Sequence, residues 1–182
     1  MYRLLCFFVI ISLYLGIKAG TSILDTGDIE HCPPYFSRVG PKCYHVSLEK
    51  VNWFVADRRC KAMNATLMVF ENETDREHTT DLLIKRGVPF NNDWRDAVWI
   101  GGNTLGLPRH FVRSHDGGAL PFTPWLPGEP SNKNEECIDY YRVPSSQKFG
   151  YNDTPCLSSQ VFVCQTQILI STAFNCLNVL SL

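Results

Sequence analysis

The spacing of apolar and polar positions divides the chain into segments with different periods. Residues 4–15 form an apolar run behind Arg3 and ahead of the small residues Ala19 and Gly20. A membrane span needs about 20 apolar residues, and this run is shorter. The order basic, apolar, small predicts a secretory signal peptide over 1–19, with cleavage after Ala19. Residues 20–31 are polar and acidic and read as a linker. A strand is expected at 44–46. Asn52 then serves as the N-cap of a helix whose inner stripe is Trp53, Ala56, Cys60 and Met63, three to four residues apart. Residues 66–70 read as a buried strand. A second helix begins at Asn72 with Asp75 in its first turn, runs through Leu82, Leu83 and Ile84, and ends at Gly87 in a left-handed cap.

Past Gly87 the helical period stops. Strands are expected at 98–101, at 111–112, and as closing strands at 137–141 and 160–165. Between them, 116–134 is a long loop rich in Gly, Pro and Asn, a length that implies mobility or function. In the tail, 166–182, Leu169, Ala173, Phe174, Leu177 and Leu180 keep a helical step, with Ser171, Asn175 and Asn178 on another face. That pattern suits either a short amphipathic helix for self-association or a loose tail. There is no internal repeat.

Composition narrows the class. Of 182 residues, 45% are hydrophobic and 19% charged, enough to build a core. The formal net charge is −1, and losing Arg3 and Lys18 with the leader makes the remainder more acidic. This excludes a nucleic-acid partner and attraction to an acidic membrane surface, and no stable membrane anchor is expected. The eight cysteines fit an oxidising, extracellular compartment and a secreted protein. Cys6 leaves with the leader. Cys32, Cys43, Cys60, Cys137, Cys156 and Cys164 fall in the globular part, and spacing alone does not choose their pairing. Cys176 stands alone in the tail, where an intermolecular bridge would make a dimer. The tight cysteine pairs of zinc modules are absent. His31, His45, His78, His110 and His115 are scattered without metal or triad spacing, so the chain is expected not to be an enzyme.

Candidate chemistry gathers in and after the long loop. Glu129, Pro130, Ser131 and Asn132 come first. Glu135 and Glu136 precede Cys137, and Asn152 and Asp153 precede Cys156. Calcium takes carboxylate, amide and carbonyl oxygens at about 2.3–2.6 Å. If Cys137 and Cys156 are joined, Glu135 comes beside the Asn152–Asp153 pair. Pro130 can hold Glu129 towards them, especially across a cis peptide bond. The plain alternative is a set of solvated acids on a polar loop. Sequons stand at Asn64, Asn72 and Asn152; the first two are candidate glycosylation sites, and Asn152 is spared if it binds calcium.

The cysteine order, Trp99-Ile100-Gly101-Gly102, the stretch from Trp125 to Ser131 and the stretch from Tyr151 to Cys156 together resemble the C-type lectin domain in its long form. The resemblance covers 32–165. It implies an α+β fold with two helices, two small antiparallel sheets and a long calcium-binding loop. It also implies three disulfides, Cys32–Cys43, Cys60–Cys164 and Cys137–Cys156. Carried over by position, Glu129, Glu135, Asn152 and Asp153 would hold Ca2+. Those residues and Ser131 would grip vicinal hydroxyls of a carbohydrate or glycoprotein glycan. Glu136 is a candidate for an auxiliary ion. Glu129-Pro130 agrees with mannose-type members, whereas Ser131 stands where those members carry Asn and galactose-type members carry Asp. Tyr151 stands where Trp is usual, and 144–148 is a surface insertion placed to contact a second sugar. The function implied is a secreted calcium-dependent lectin, with innate recognition of microbial glycans as the analogy. The alternative is a relative of the fold that binds a protein or other ligand without calcium.

Overall fold

The computed structural model describes residues 29–91, 93–104 and 106–171. The expected signal peptide, Cys6, most of the linker, Cys176 and most of the tail lie outside them. The chain divides into two units, and the larger runs Cys32–Ile168. The smaller contributes a ribbon in which β1 (Ile29–His31) pairs antiparallel with β10 (Leu169–Ser171). The last linker residues are therefore a strand. The described start of the tail is also extended, which corrects the helical step expected from Leu169.

In the larger unit β2 (Ser37–Val39) turns into β3 (Lys42–Val51), and Cys32–Cys43 ties the entry segment to that hairpin. Helix α1 (Trp53–Ala62) starts where the Asn52 side chain accepts a hydrogen bond from Val55 N–H. Its expected stripe goes inward: Trp53, Ala56 and Cys60 are buried, and Met63 packs against the same cluster. The buried stretch 66–70 is only partly a strand, β4 (Thr66–Leu67). Helix α2 (Glu73–Lys85) is capped by Asn72, whose side chain accepts from Asp75 N–H. Gly87 follows at φ 92°, the left-handed position expected of it. The face α2 buries is Thr79, Thr80 and Leu83, and Ile84 points outward.

A 3-10 turn (Asp93–Asp96) leads into β5 (Val98–Asn103), then β6 (Val112–Arg113), β7 (Cys137–Arg142), β8 (Phe149–Thr154) and β9 (Gln160–Gln167). The order along the main path is β2-β3-β9-β5-β7-β8. Pairing is antiparallel within the β2/β3/β9 part and within the β5/β7/β8 part, and a parallel β5–β9 contact joins them. This is the α+β fold expected, with its two helices, its sheets and all three disulfides as paired above. Gly101 explains part of the Trp99–Gly102 motif, because a Cβ there would meet the Leu67 carbonyl oxygen at 2.5 Å. The core between β5, β7, β8 and α2 is aromatic. Tyr151 stacks on Phe70 at 5.6 Å between ring centres, filling the aromatic role expected of it.

Candidate functional site

The β7–β8 hairpin carries the site. Its register sets Ile138 opposite Asp153 and Asp139 opposite Asn152, and Cys137–Cys156 closes its base. The returning end of the long loop docks on it: Leu126 N–H donates to Tyr151 O at 2.9 Å, and Tyr151 N–H donates to Pro124 O at 2.7 Å. Gly150 permits that approach, since a Cβ would lie 2.7 Å from Pro124 O. The loop then turns through Gly128 at φ 92° into Glu129-Pro130, whose peptide bond is cis. That turn sets Ser131 and Asn132 over Asp153. Ser131 N–H donates to Asp153 Oδ1 at 2.8 Å, and Asn132 N–H donates to Oδ2 at 3.1 Å. Asn132 thus contributes its main chain, while its side-chain oxygen accepts from Asn134 N–H.

Glu129, Ser131, Glu135, Asn152 and Asp153 are therefore brought to one place. Ser131, Glu135, Asn152 and Asp153 line a cleft of about 430 Å³ together with Trp94 and Tyr141. The acids crowd one another. Burial pushes the Glu129 carboxyl above its usual range, and its hydrogen bond with Asp153 adds to the rise. Burial also raises Glu135, reinforced by the charges of Asp153 and Glu129. One oxygen of Glu129, Oε2, is buried without a hydrogen-bond partner. The turn over 144–148 closes the hairpin at the end away from Cys137 and Thr154, and none of it lines the cleft.

Sequence reasoning missed two residues here. Asp139 is fully buried beneath Asn152, whose Nδ2 donates to Asp139 Oδ1 at 3.1 Å, while Oδ2 has no partner. Desolvation lifts this carboxyl well above its ordinary value. The signal available was an acid set between the apolar Ile138 and Tyr140 of a strand. The second is Arg109, which sits at φ 60°, a left-handed backbone rare outside glycine. Its Nη2 donates to Pro130 O, and its Nη1 lies 3.7 Å from Asp153 Oδ2. Nothing local in its loop marks it.

Among the described residues no three His, Cys, Asp or Glu side chains are gathered closely enough to hold an ion as they stand. The donor types nonetheless suit a hard dication: carboxylate and amide side chains line one cleft, and a buried oxygen of Glu129 lacks a hydrogen-bond partner. The candidate glycosylation sites Asn64 and Asn72 are both exposed. No helix among the described residues is long and apolar enough to cross a membrane.

Residues 49–166 match the family profile described as the Lectin C-type domain. C-type lectin 37Db of Drosophila melanogaster is 32% identical over 133 residues, spanning 72% of this chain and 81% of its own. The C-type lectin domain of murine dendritic cell inhibitory receptor 2, solved in complex with N-glycan, superposes with a TM-score of 0.61 at 24% identity, over 75% of this chain and 98% of that one. A calcium-independent type II antifreeze protein superposes with a TM-score of 0.62 at 20% identity, over 78% and 98%. At these structural identities the likeness is one of fold alone.

Proposed function

The chain belongs to the C-type lectin domain family, and on that premise we propose that it is a secreted, calcium-dependent carbohydrate-binding module rather than an enzyme. The observation that carries this reading is the unpartnered, buried Glu129 Oε2 among the raised carboxyls of Glu129 and Glu135. Acceptors left open inside a fold are expected to have a cationic partner.

Glu129, Glu135, Asn152 and Asp153 would hold Ca2+, which when bound supplies a charge that coordinates the vicinal hydroxyls of a sugar. The residues themselves do the positioning. Asp139 holds the Asn152 amide nitrogen, which leaves the amide oxygen for a ligand. Asp153 fixes the main chain of Ser131 and Asn132 and so sets where Glu129 stands. The carboxylates and the Ser131 hydroxyl then accept from or donate to the sugar hydroxyls. The partners are glycans, as for the N-glycan-bound murine relative. Asn64 and Asn72 are exposed and suited to glycosylation. Asn152 is not, because its amide nitrogen is engaged by Asp139.

One observation favours a second reading, a module that binds a protein or other ligand without calcium. Arg109 already places a guanidinium against Asp153 and the Pro130 carbonyl, and the antifreeze relative of this fold is calcium-independent. A glycan array read with calcium and with chelator decides between the two. The lectin reading expects binding that chelator removes. It also expects Asp153→Ala to weaken calcium-linked binding by about 100-fold or more, roughly 2.7 kcal/mol. Binding unchanged in chelator would overturn it in favour of the Arg109-based reading.

A further inference from the structure

Trp94 is a large aromatic residue left 51% exposed, yet it is firmly mounted. It lies on the 3-10 turn before β5. The buried Gln160 donates from Nε2 to Trp94 O at 2.8 Å. Lys50 pairs with Asp96 at 3.6 Å, and Asp96 Oδ2 accepts from Asn91 N–H at 3.2 Å. The Arg95 guanidinium lies 4.7 Å from the Trp94 ring centre, a cation–π contact that occupies the indole on one side. An aromatic ring held in place and left half in water can stack on an apolar partner.

The cleft supplies the partner. Trp94 and Tyr141 line the same cleft as Ser131, Glu135 and Asp153. Val98 pairs with Tyr140, so the turn that precedes β5 reaches the Tyr141 end of β7. Asp153 pairs with Ile138, three residues back along that strand, or about 10 Å at the strand rise. A ring bound at the carboxylates therefore has open cleft beside it, ending at an indole.

We infer that Trp94, with Tyr141 beside it, forms a second sugar subsite that stacks the apolar C–H face of the residue next to the one held at Glu129, Glu135 and Asp153. This rests on the lectin reading above, and it makes the module selective for oligosaccharides. Stacking buries the indole face and one side of a pyranose, while the sugar hydroxyls at its rim stay in water.

The test is a glycan array in calcium that carries mannose, galactose, fucose and N-acetylglucosamine as single sugars and within oligosaccharides, probed with the full chain. Wild type is expected to bind oligosaccharides about five- to ten-fold better than the matching single sugar. Trp94→Ala should bring that ratio close to one while single-sugar binding stays within about two-fold, and Trp94→Phe should restore most of the ratio. Circular dichroism establishes that each variant is folded. An unchanged ratio in folded Trp94→Ala overturns the subsite alone, as does an equal fall for both ligand sizes. Absence of any calcium-linked glycan signal in wild type overturns the lectin reading and the subsite with it.

Discussion

Asp75 and Asp139 are both carboxylates drawn largely out of water, and the protein completes one and leaves the other open. Asp75 accepts the Tyr44 hydroxyl at 3.0 Å on Oδ1, and on Oδ2 it accepts Lys42 Nζ and Glu71 N–H, each at 2.9 Å. Lys42 is completed in turn by Val69 O at 3.1 Å and Glu71 Oε1 at 3.0 Å. Asp139 has one bond, from Asn152, and other carboxylates for neighbours. The first cluster joins β3 to the start of α2, and both oxygens of its Asp75 are engaged by donors. The second underlies the cleft, and its surplus of acceptors is matched only in part by Arg109. On the proposed lectin reading, saturation marks the ionic group that serves the fold, and incompleteness beneath the cleft marks the one that serves binding.

The largest effect should come from breaking the complete cluster. Lys42→Met keeps the length of the side chain but leaves the Asp75 charge without its counter-ion. Unfolding free energy by urea titration should fall by about 3–5 kcal/mol, because the pair is shielded from water. A loss below about 1 kcal/mol would place it with ordinary surface pairs and remove the contrast. Calcium affinity of the folded fraction should be unchanged.

A smaller effect, of opposite sign for stability, is expected at the open cluster. Asp139→Asn keeps an oxygen to accept from Asn152 and removes a buried charge. In chelator the protein should gain about 1–2 kcal/mol, since a desolvated charge without a partner opposes folding. Calcium affinity, measured by isothermal titration calorimetry, should fall by about ten-fold as one nearby negative charge is lost. A stability loss in chelator instead would show that Asp139 is as complete as Asp75.

What was legible in the sequence had a local signal or a family spacing. Asn52, Asn72 and Gly87 carry their roles in their own chemistry, and each caps a helix end as expected. That Glu129, Glu135, Asn152 and Asp153 lie near one another was readable through their distance from Cys137, Cys156 and Pro130. β8 was read as a motif and not as a strand, because Gly150, Asn152 and Asp153 break the apolar alternation that marks strands. Asp139 looked like part of a closing strand; its meaning depends on a cross-strand register that only folding sets. Arg109 reaches Pro130 and Asp153, and Trp94 reaches the cleft, from turns far away in the chain, and tertiary placement leaves no trace in local pattern.

Arg109 offers the finest test of the comparison, because it is what makes the open cluster partly closed. Its guanidinium bridges Pro130 O and the Asp153 carboxylate, so on the lectin reading it would compete with calcium for Asp153 and steady the loop in calcium's absence. Its side chain is 35% exposed, so solvent screens the pair and the net stabilisation is small. Arg109→Gln should therefore lower stability in chelator by less than about 1 kcal/mol. Calcium affinity should rise by about three- to five-fold, since a like charge has left the ion's surroundings. Calorimetry of the two proteins side by side reads both quantities. A fall in calcium affinity would mean that Arg109 organises the loop more than it repels the ion. The partial closure of the Asp153 cluster would then be a mounting for the binding loop, and the charge contrast with Asp75 would rest on Asp139 and Glu129 alone.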